Sequence, residues 1–199
     1  MKQNMLISFL TLRKIVGILG VSLSFLVVVG GLLFGKGKVE GSISAYYGTN
    51  MRDVFVAVLA IAGAFLTSYH GYDKLDNVLS KVAGVSAIFI GLFPFAYFEP
   101  GNFLNIQYPA IRVLHYVSAA VFFLSIAALS YFQFSKGSNK LRNIVYKTCG
   151  IVIFASVVLA GLHGITSFGG NYFILIIEAV MLVAFGVSWF VKGQGILKD

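Results

Sequence analysis

Charge is scarce in this sequence. Only 11% of its 199 residues are Asp, Glu, Lys or Arg, against about 25% in an ordinary soluble domain, and that excludes a water-soluble globular fold. There is one cysteine, Cys149, so neither an intrachain disulfide nor a multi-thiolate metal site can form. On an apolar span it reads as a small packing residue. With three histidines and seven acidic residues, few side chains can carry acid–base or metal chemistry. They show no H-E-x-x-H or H-x-x-x-H spacing, so no local metal-binding motif is present. No stretch is long and polar enough to make a separate soluble domain, and no repeat of fixed period appears.

What is abundant is apolar sequence: 58% of residues are hydrophobic, and mean hydropathy is +0.89. Stretches of about 20 apolar residues are long enough to cross a bilayer as helices. The pattern predicts one all-α, membrane-embedded domain over residues 1–199. Its six spans fall at about 15–35, 53–70, 82–98, 110–134, 145–166 and 171–191, with residues 1–14 as an interfacial lead-in rather than a cleaved signal. Small residues recur at helical spacing and predict packing faces: Gly17, Gly20, Ser24 and Gly31 on the first span, Ala57, Ala60 and Ala64 on the second, and Gly84, Ala87 and Gly91 on the third. Tyr46, Tyr47 and Trp189 read as headgroup-belt aromatics, and His70 as an interfacial residue.

The net charge of +8 comes from short basic clusters between spans, so it reads as a topology signal rather than a nucleic-acid surface. Assigning loops alternately, with the N-terminus inside, puts eleven Lys and Arg inside and four outside, the full fifteen. The expectation is both termini in the cytoplasm of a bacterium, with the bundle in its inner membrane.

Glu178 is the one charged residue within the last span. An ionisable side chain at that depth is costly unless paired or turned to a polar cavity, which makes it a functional-site hypothesis. On this topology His115, His163, Asp53, Arg52 and Arg112 fall in the same outer third of the bundle. The chemistry they suggest has Glu178, His115 and Asp53 as catalytic groups, with Arg52, Arg112, Ser44 and Ser118 binding ligand. His115, His163 and Glu178 could hold zinc or another divalent ion and lower the pKa of its bound water. Haem is disfavoured, because a second histidine pair at the opposite face is missing. The expected function is a polar cavity that engages lipid headgroups or a small polar ligand, with metal-assisted hydrolysis as its sharper form. The alternative is a non-catalytic membrane subunit or small transporter whose Glu/His cluster is a structural clasp or carries protons. Membrane lipid is the expected partner, with a further membrane protein or a second copy also compatible.

Several short segments add to this reading. They are Ser42-Ile43-Ser44, Arg52-Asp53-Val54-Phe55, Phe93-Pro94, His115-x-x-Ser118-Ala119-x-x-Phe122-Phe123 and Glu178 with the following Phe185–Gly193. With these the chain resembles a bacterial six-helix membrane family of the domain-of-unknown-function type, distantly similar to the DRAM and GPI-anchor-remodelling proteins. The resemblance implies a serine-bearing outer loop ahead of the second span and a functional histidine opening the fourth. It adds weight to His115 and Asp53.

Overall fold

The computed structural model describes residues 8–35, 37–93 and 108–197, with backbone alone at 108 and 109. Most of the expected loop 99–110, the aromatic run after Phe93, and Lys2, Lys36 and Lys198 lie outside the described residues. Among those described there is no strand. The helices are α1 (Phe9–Phe34), α2 (Arg52–Ser68), α3 (Lys74–Leu92), α4 (Tyr108–Ala128), α5 (Lys140–Thr166) and α6 (Phe173–Lys192). A short 3-10 turn, Ser44–Gly48, lies between α1 and α2, and α4 runs on through a π turn, Leu129–Gln133, to Lys136.

Helix starts follow local capping chemistry. Ser8, Asp73 and Asn139 each accept a hydrogen bond from the backbone N–H three residues on, which satisfies a donor that the first turn would otherwise leave open. At the far end of α5, Ser167 takes a left-handed conformation (φ 55°) and its N–H bonds the His163 carbonyl, turning the chain into α6.

Five of these helices are long and apolar enough to cross a membrane. The exception is α2: its 17 residues rise about 25 Å, short of a hydrocarbon core of about 30 Å. The span expected over 53–70 is this shorter helix, which ends at Ser68, so five spans rather than six meet the length and composition of a crossing helix among the described residues. The third begins earlier than expected, because Asp73 caps α3 and the charged stretch 74–81 is its first two turns instead of a loop.

Packing explains the glycine content. A Cβ on Gly17 would come within 2.7 Å of the Gly186 carbonyl, and one on Gly186 within 2.5 Å of the Gly17 carbonyl. Gly63 and Gly84 meet in the same reciprocal way at 2.7 and 2.6 Å. These pairs bring α1 against α6 and α2 against α3 at backbone contact, which glycine allows without a hydrophobic driving force. Both pairs are antiparallel: Gly17 faces Phe190 while Gly193 faces Lys14. The N-terminal end of α1 and the C-terminal end of α6 therefore lie at the same end of the bundle.

Three expectations about faces change. Ala57, Ala60 and Ala64 are exposed, and α2 buries Phe55, Val58, Leu59, Ala62, Gly63 and Leu66 instead. Bulk, not smallness, decides that face, since Phe, Val and Leu fill the space between α1, α2 and α3 and bury the larger apolar area. Trp189 and Tyr46 are not belt residues: they are 1% and 0% exposed. Trp189 sits edge-on to Tyr69, Phe134 and Phe185, and the Tyr46 ring fills the space left beside Gly31.

Filling the α1–α6 contact should separate the helices. Gly186→Ala is expected to cost about 1–3 kcal/mol, read as a lower melting temperature in detergent. Gly161→Ala, on α5 where nothing lies within 4 Å, should be neutral or stabilise by up to about 1 kcal/mol through helix propensity. Equal effects would mean that α1 and α6 do not meet as described.

Candidate functional site

Glu178 lies two turns into α6, on the side facing the loop between α1 and α2. That loop folds in over the helix ends and is pinned there by backbone and side chain alike. The Leu175 N–H donates to the Gly41 carbonyl at 3.0 Å, the Glu40 N–H donates to Tyr46 Oη at 3.3 Å, and Ser42 Oγ accepts from the Ala45 N–H at 3.0 Å. The resulting 3-10 turn aims consecutive N–H groups at α6. Ile43 and Ser44 both donate to Glu178 Oε2, at 2.5 and 3.4 Å. Such paired backbone donors form a nest for an anion, and here the chain's own carboxylate occupies it.

The Ser44 side chain continues the line. Its Oγ lies 3.2 Å from Glu178 Oε1 and 3.1 Å from His115 Nε2. On its other side His115 Nδ1 is 2.7 Å from the Phe93 carbonyl oxygen, at the end of α3. His115 and Ser44 are buried and Glu178 is partly buried. One hydrogen-bonded chain thus joins α3, α4, the loop and α6.

Counting protons along this chain fixes what it can do. A carbonyl oxygen only accepts, so Nδ1 of His115 carries a hydrogen and Nε2 is the nitrogen that can change state. Ser44 has a single O–H between two groups. If Glu178 is ionised, Ser44 donates to it and a protonated Nε2 donates to Ser44. If Glu178 is protonated, its O–H donates to Ser44, which donates to a bare Nε2. Both arrangements satisfy every partner, and they differ by passing a proton along two hydrogen bonds. With one proton fewer, Oε1 and Nε2 compete for the same hydrogen; with one more, the Ser44 hydrogen loses both acceptors. The line is matched to one shared proton.

The other predicted site residues fall elsewhere. Asp53 is exposed in the first turn of α2, with no described contact to the line. Arg52 turns away to Tyr47, donating to its hydroxyl at 3.0 Å and lying over its ring. Arg112 is exposed and lies over the Tyr116 ring. Ser118 is buried one turn beyond His115 on the same face of α4.

His163 does not join His115 and Glu178. Its Nδ1 lies 2.5 Å from the Phe168 carbonyl and its ring stacks on Phe173 at 5.2 Å, because the Ser167 turn folds back over it. Among the described residues no three His, Cys, Asp or Glu side chains are grouped so as to hold a metal ion. The proposed zinc set is therefore not assembled, and the two ring nitrogens of His115 are already engaged by Phe93 and Ser44.

Two participants were not visible in the sequence as such: the Phe93 carbonyl and the Ile43 N–H, both backbone groups. A buried acid outside this line was also missed. Asp76, 0% exposed on α3, accepts from the Tyr72 N–H at 3.0 Å, and a Cβ on Gly71 would strike its carboxyl group. The glycine five residues ahead of it is the signal that could have shown it. Comparison with known families, curated proteins and solved structures finds no match, so the site is read from its own chemistry.

Glu178→Gln keeps an acceptor for the loop and an N–H for Ser44, as the protonated acid would, and should cost under about 1 kcal/mol. Glu178→Leu strands the Ile43 and Ser44 donors and should cost about 2–4 kcal/mol. Melting temperatures in detergent measure both. Loss of similar size in the two variants would contradict this hydrogen-bond assignment.

Proposed function

We propose that this chain is a small proton-carrying protein of the membrane, in which Glu178 and His115 exchange a proton through the Ser44 hydroxyl. The observation that carries the reading is the position of Ser44 Oγ, within hydrogen-bond distance of both groups at 3.2 and 3.1 Å. Intramembrane acids and histidines linked in this way are the usual material of proton relays. The buried polar face of α4 supports it: Ser118, Ser125, Ser130 and Gln133 follow His115 toward the other end of the bundle, over about 22 Å from Ser118. Ser130 bonds Ser188 of α6 at 3.1 Å and lies in the π turn, a local widening common at functional positions.

In this reading α2 counts as a sixth span beside the five longer ones. The eleven-to-four excess of basic residues then places both termini in the cytoplasm and the Glu178 end at the outer face of a bacterial inner membrane. Two of the segments on which the chain resembles the six-helix family, Ser42-Ile43-Ser44 and the one opening at His115, contain the Ser44 and His115 of the relay.

A hydrolase is the second reading, because Ser44 and His115 have the spacing of a nucleophile and its base. It is the weaker one: the backbone donors beside Ser44 that would stabilise an oxyanion are occupied by Glu178. Reconstitution of the full chain in vesicles under an imposed pH gradient separates the two. Wild type should dissipate the gradient faster than empty vesicles, and Glu178→Gln and Ser44→Ala should return the rate to the empty-vesicle value. A wild-type rate equal to empty vesicles, an unimpaired Glu178→Gln, or labelling of Ser44 by a fluorophosphonate would overturn the relay.

A further inference from the structure

A relay that carries protons through the bundle needs a group at each end that can bind and release one. At the end away from Glu178, the polar face of α4 finishes at Gln133, which is buried. Its Oε1 accepts from Lys136 Nζ at 2.7 Å. Lys136 also donates to Asp73 Oδ2 at 2.7 Å, and Asp73 Oδ1 accepts from the Asp76 N–H at 2.9 Å. The end of α4 is thus tied to the first turn of α3, where the buried acid Asp76 lies.

Asp76 is 0% exposed, yet Tyr72 and Lys74 close to it in the chain are exposed, so it sits just beneath the surface. Its Oδ2 accepts from the Tyr72 N–H, and its Oδ1 has no hydrogen-bond partner among the described residues. An ionised carboxylate has room for about four donors. Glu178 is met by the Ile43 and Ser44 amides and the Ser44 hydroxyl, Asp76 by a single amide. Charge reaches Asp76 from further away instead. Lys192 of α6 and Arg13 of α1 favour its anion, and Asp73 opposes it. The Tyr69 hydroxyl, to which Arg13 donates at 3.5 Å, lies in the same field. Burial with one donor favours the neutral acid, and two cations favour the carboxylate. Opposed pulls of this kind suit a group that exchanges a proton.

We propose that Asp76 binds and releases the proton at this end of the bundle, as the terminal carboxyl of the relay that begins at Glu178. The proton adds to Oδ1, the carboxylate becomes the neutral acid, and the reverse step returns the proton to water; no other bond changes. A cavity of about 400 Å³ lies here, and its walls include Gln133, Tyr72 and Lys192. It has the size and the polar lining to hold water, between the end of the α4 face and the neighbours of Asp76. Lys192 lies about 21 Å along α6 from Glu178, so Asp76 is a separate station and no part of the Ser44 line. The role rests on the proton-carrying reading.

A structural Asp76 would serve only as an acceptor for the turn at Gly71 and Tyr72. Asparagine keeps that acceptor and cannot take the proton, so Asp76→Asn separates the two roles. In vesicles under a pH gradient, Asp76→Asn should fall to the empty-vesicle rate, Asp76→Glu should recover dissipation, and His70→Gln, exposed at the same end, should match wild type. In detergent, Asp76→Asn should melt close to wild type and keep the wild-type titration of His115 Nε2. The chain has four aspartates, so carboxyl-carbon NMR of aspartate-labelled wild type, assigned by the signal lost in Asp76→Glu, should show Asp76 titrating even if Asp76→Asn does not fold. Wild-type vesicles no faster than empty ones would remove the proton-carrying reading and this role with it. Active wild type and inactive Glu178→Gln beside a fully active Asp76→Asn would overturn the Asp76 role alone. An Asp76 signal that stays fixed at every pH where wild type conducts would do the same.

Discussion

A hydroxyl group has one hydrogen to give, and at Ser44 that hydrogen lies between a carboxylate and an imidazole. The arrangement of this end of the bundle follows from that constraint. The imidazole is held by α3 through the Phe93 carbonyl, the carboxylate is held by the loop through the Ile43 and Ser44 amides, and the serine belongs to the same loop. In hydrocarbon, where no water is at hand to complete a broken pair, unsatisfied polar groups cost several kcal/mol. The loop, α3, α4 and α6 are thereby fixed to one another by groups that must also agree on a proton count.

The two ends of the bundle are built on different physics. At the Glu178 end, polar groups bond one another, and the balance among them is set by proton number. At the other, the Lys192 ammonium is packed among the rings of Tyr72, Phe134 and Tyr146. Between them the glycine contacts at Gly17–Gly186 and Gly63–Gly84 bring the backbones close enough to hold α1, α2, α3 and α6 in register. Close packing of this kind holds α6, and with it Glu178, in place, which a hydrogen-bonded line at fixed distances needs.

Composition and long apolar stretches made the helical membrane architecture legible, and isolation made the centre of the site legible. Glu178 stood out because no other charge lies within its span, and His115 because Arg112, Ser118 and Ser125 recur with it at helical spacing; His115, Ser118 and Ser125 are buried, while Arg112 is exposed. What could not be read depends on three-dimensional partners. The Phe93 carbonyl and the Ile43 amide carry no side-chain signature. His163 has the right depth but is captured by Phe168 and Phe173 across a turn whose left-handed residue is a serine, which gives no glycine signal. The face of α2 was inverted because alanine is compatible with both lipid and close packing, so periodicity alone does not choose. Asp76 was hidden among neighbouring charges that resemble a loop.

The central claim is that Glu178 and His115 share one proton through Ser44. Nitrogen NMR of labelled histidine reports it most directly, since the chain has only three histidines and His115→Gln assigns the signal. The account predicts that Nδ1 stays protonated throughout, while the Nε2 signal of wild type titrates and that of Glu178→Gln is fixed as unprotonated over the same pH range. An Nε2 signal that titrates identically in wild type, Glu178→Gln and Ser44→Ala would contradict it.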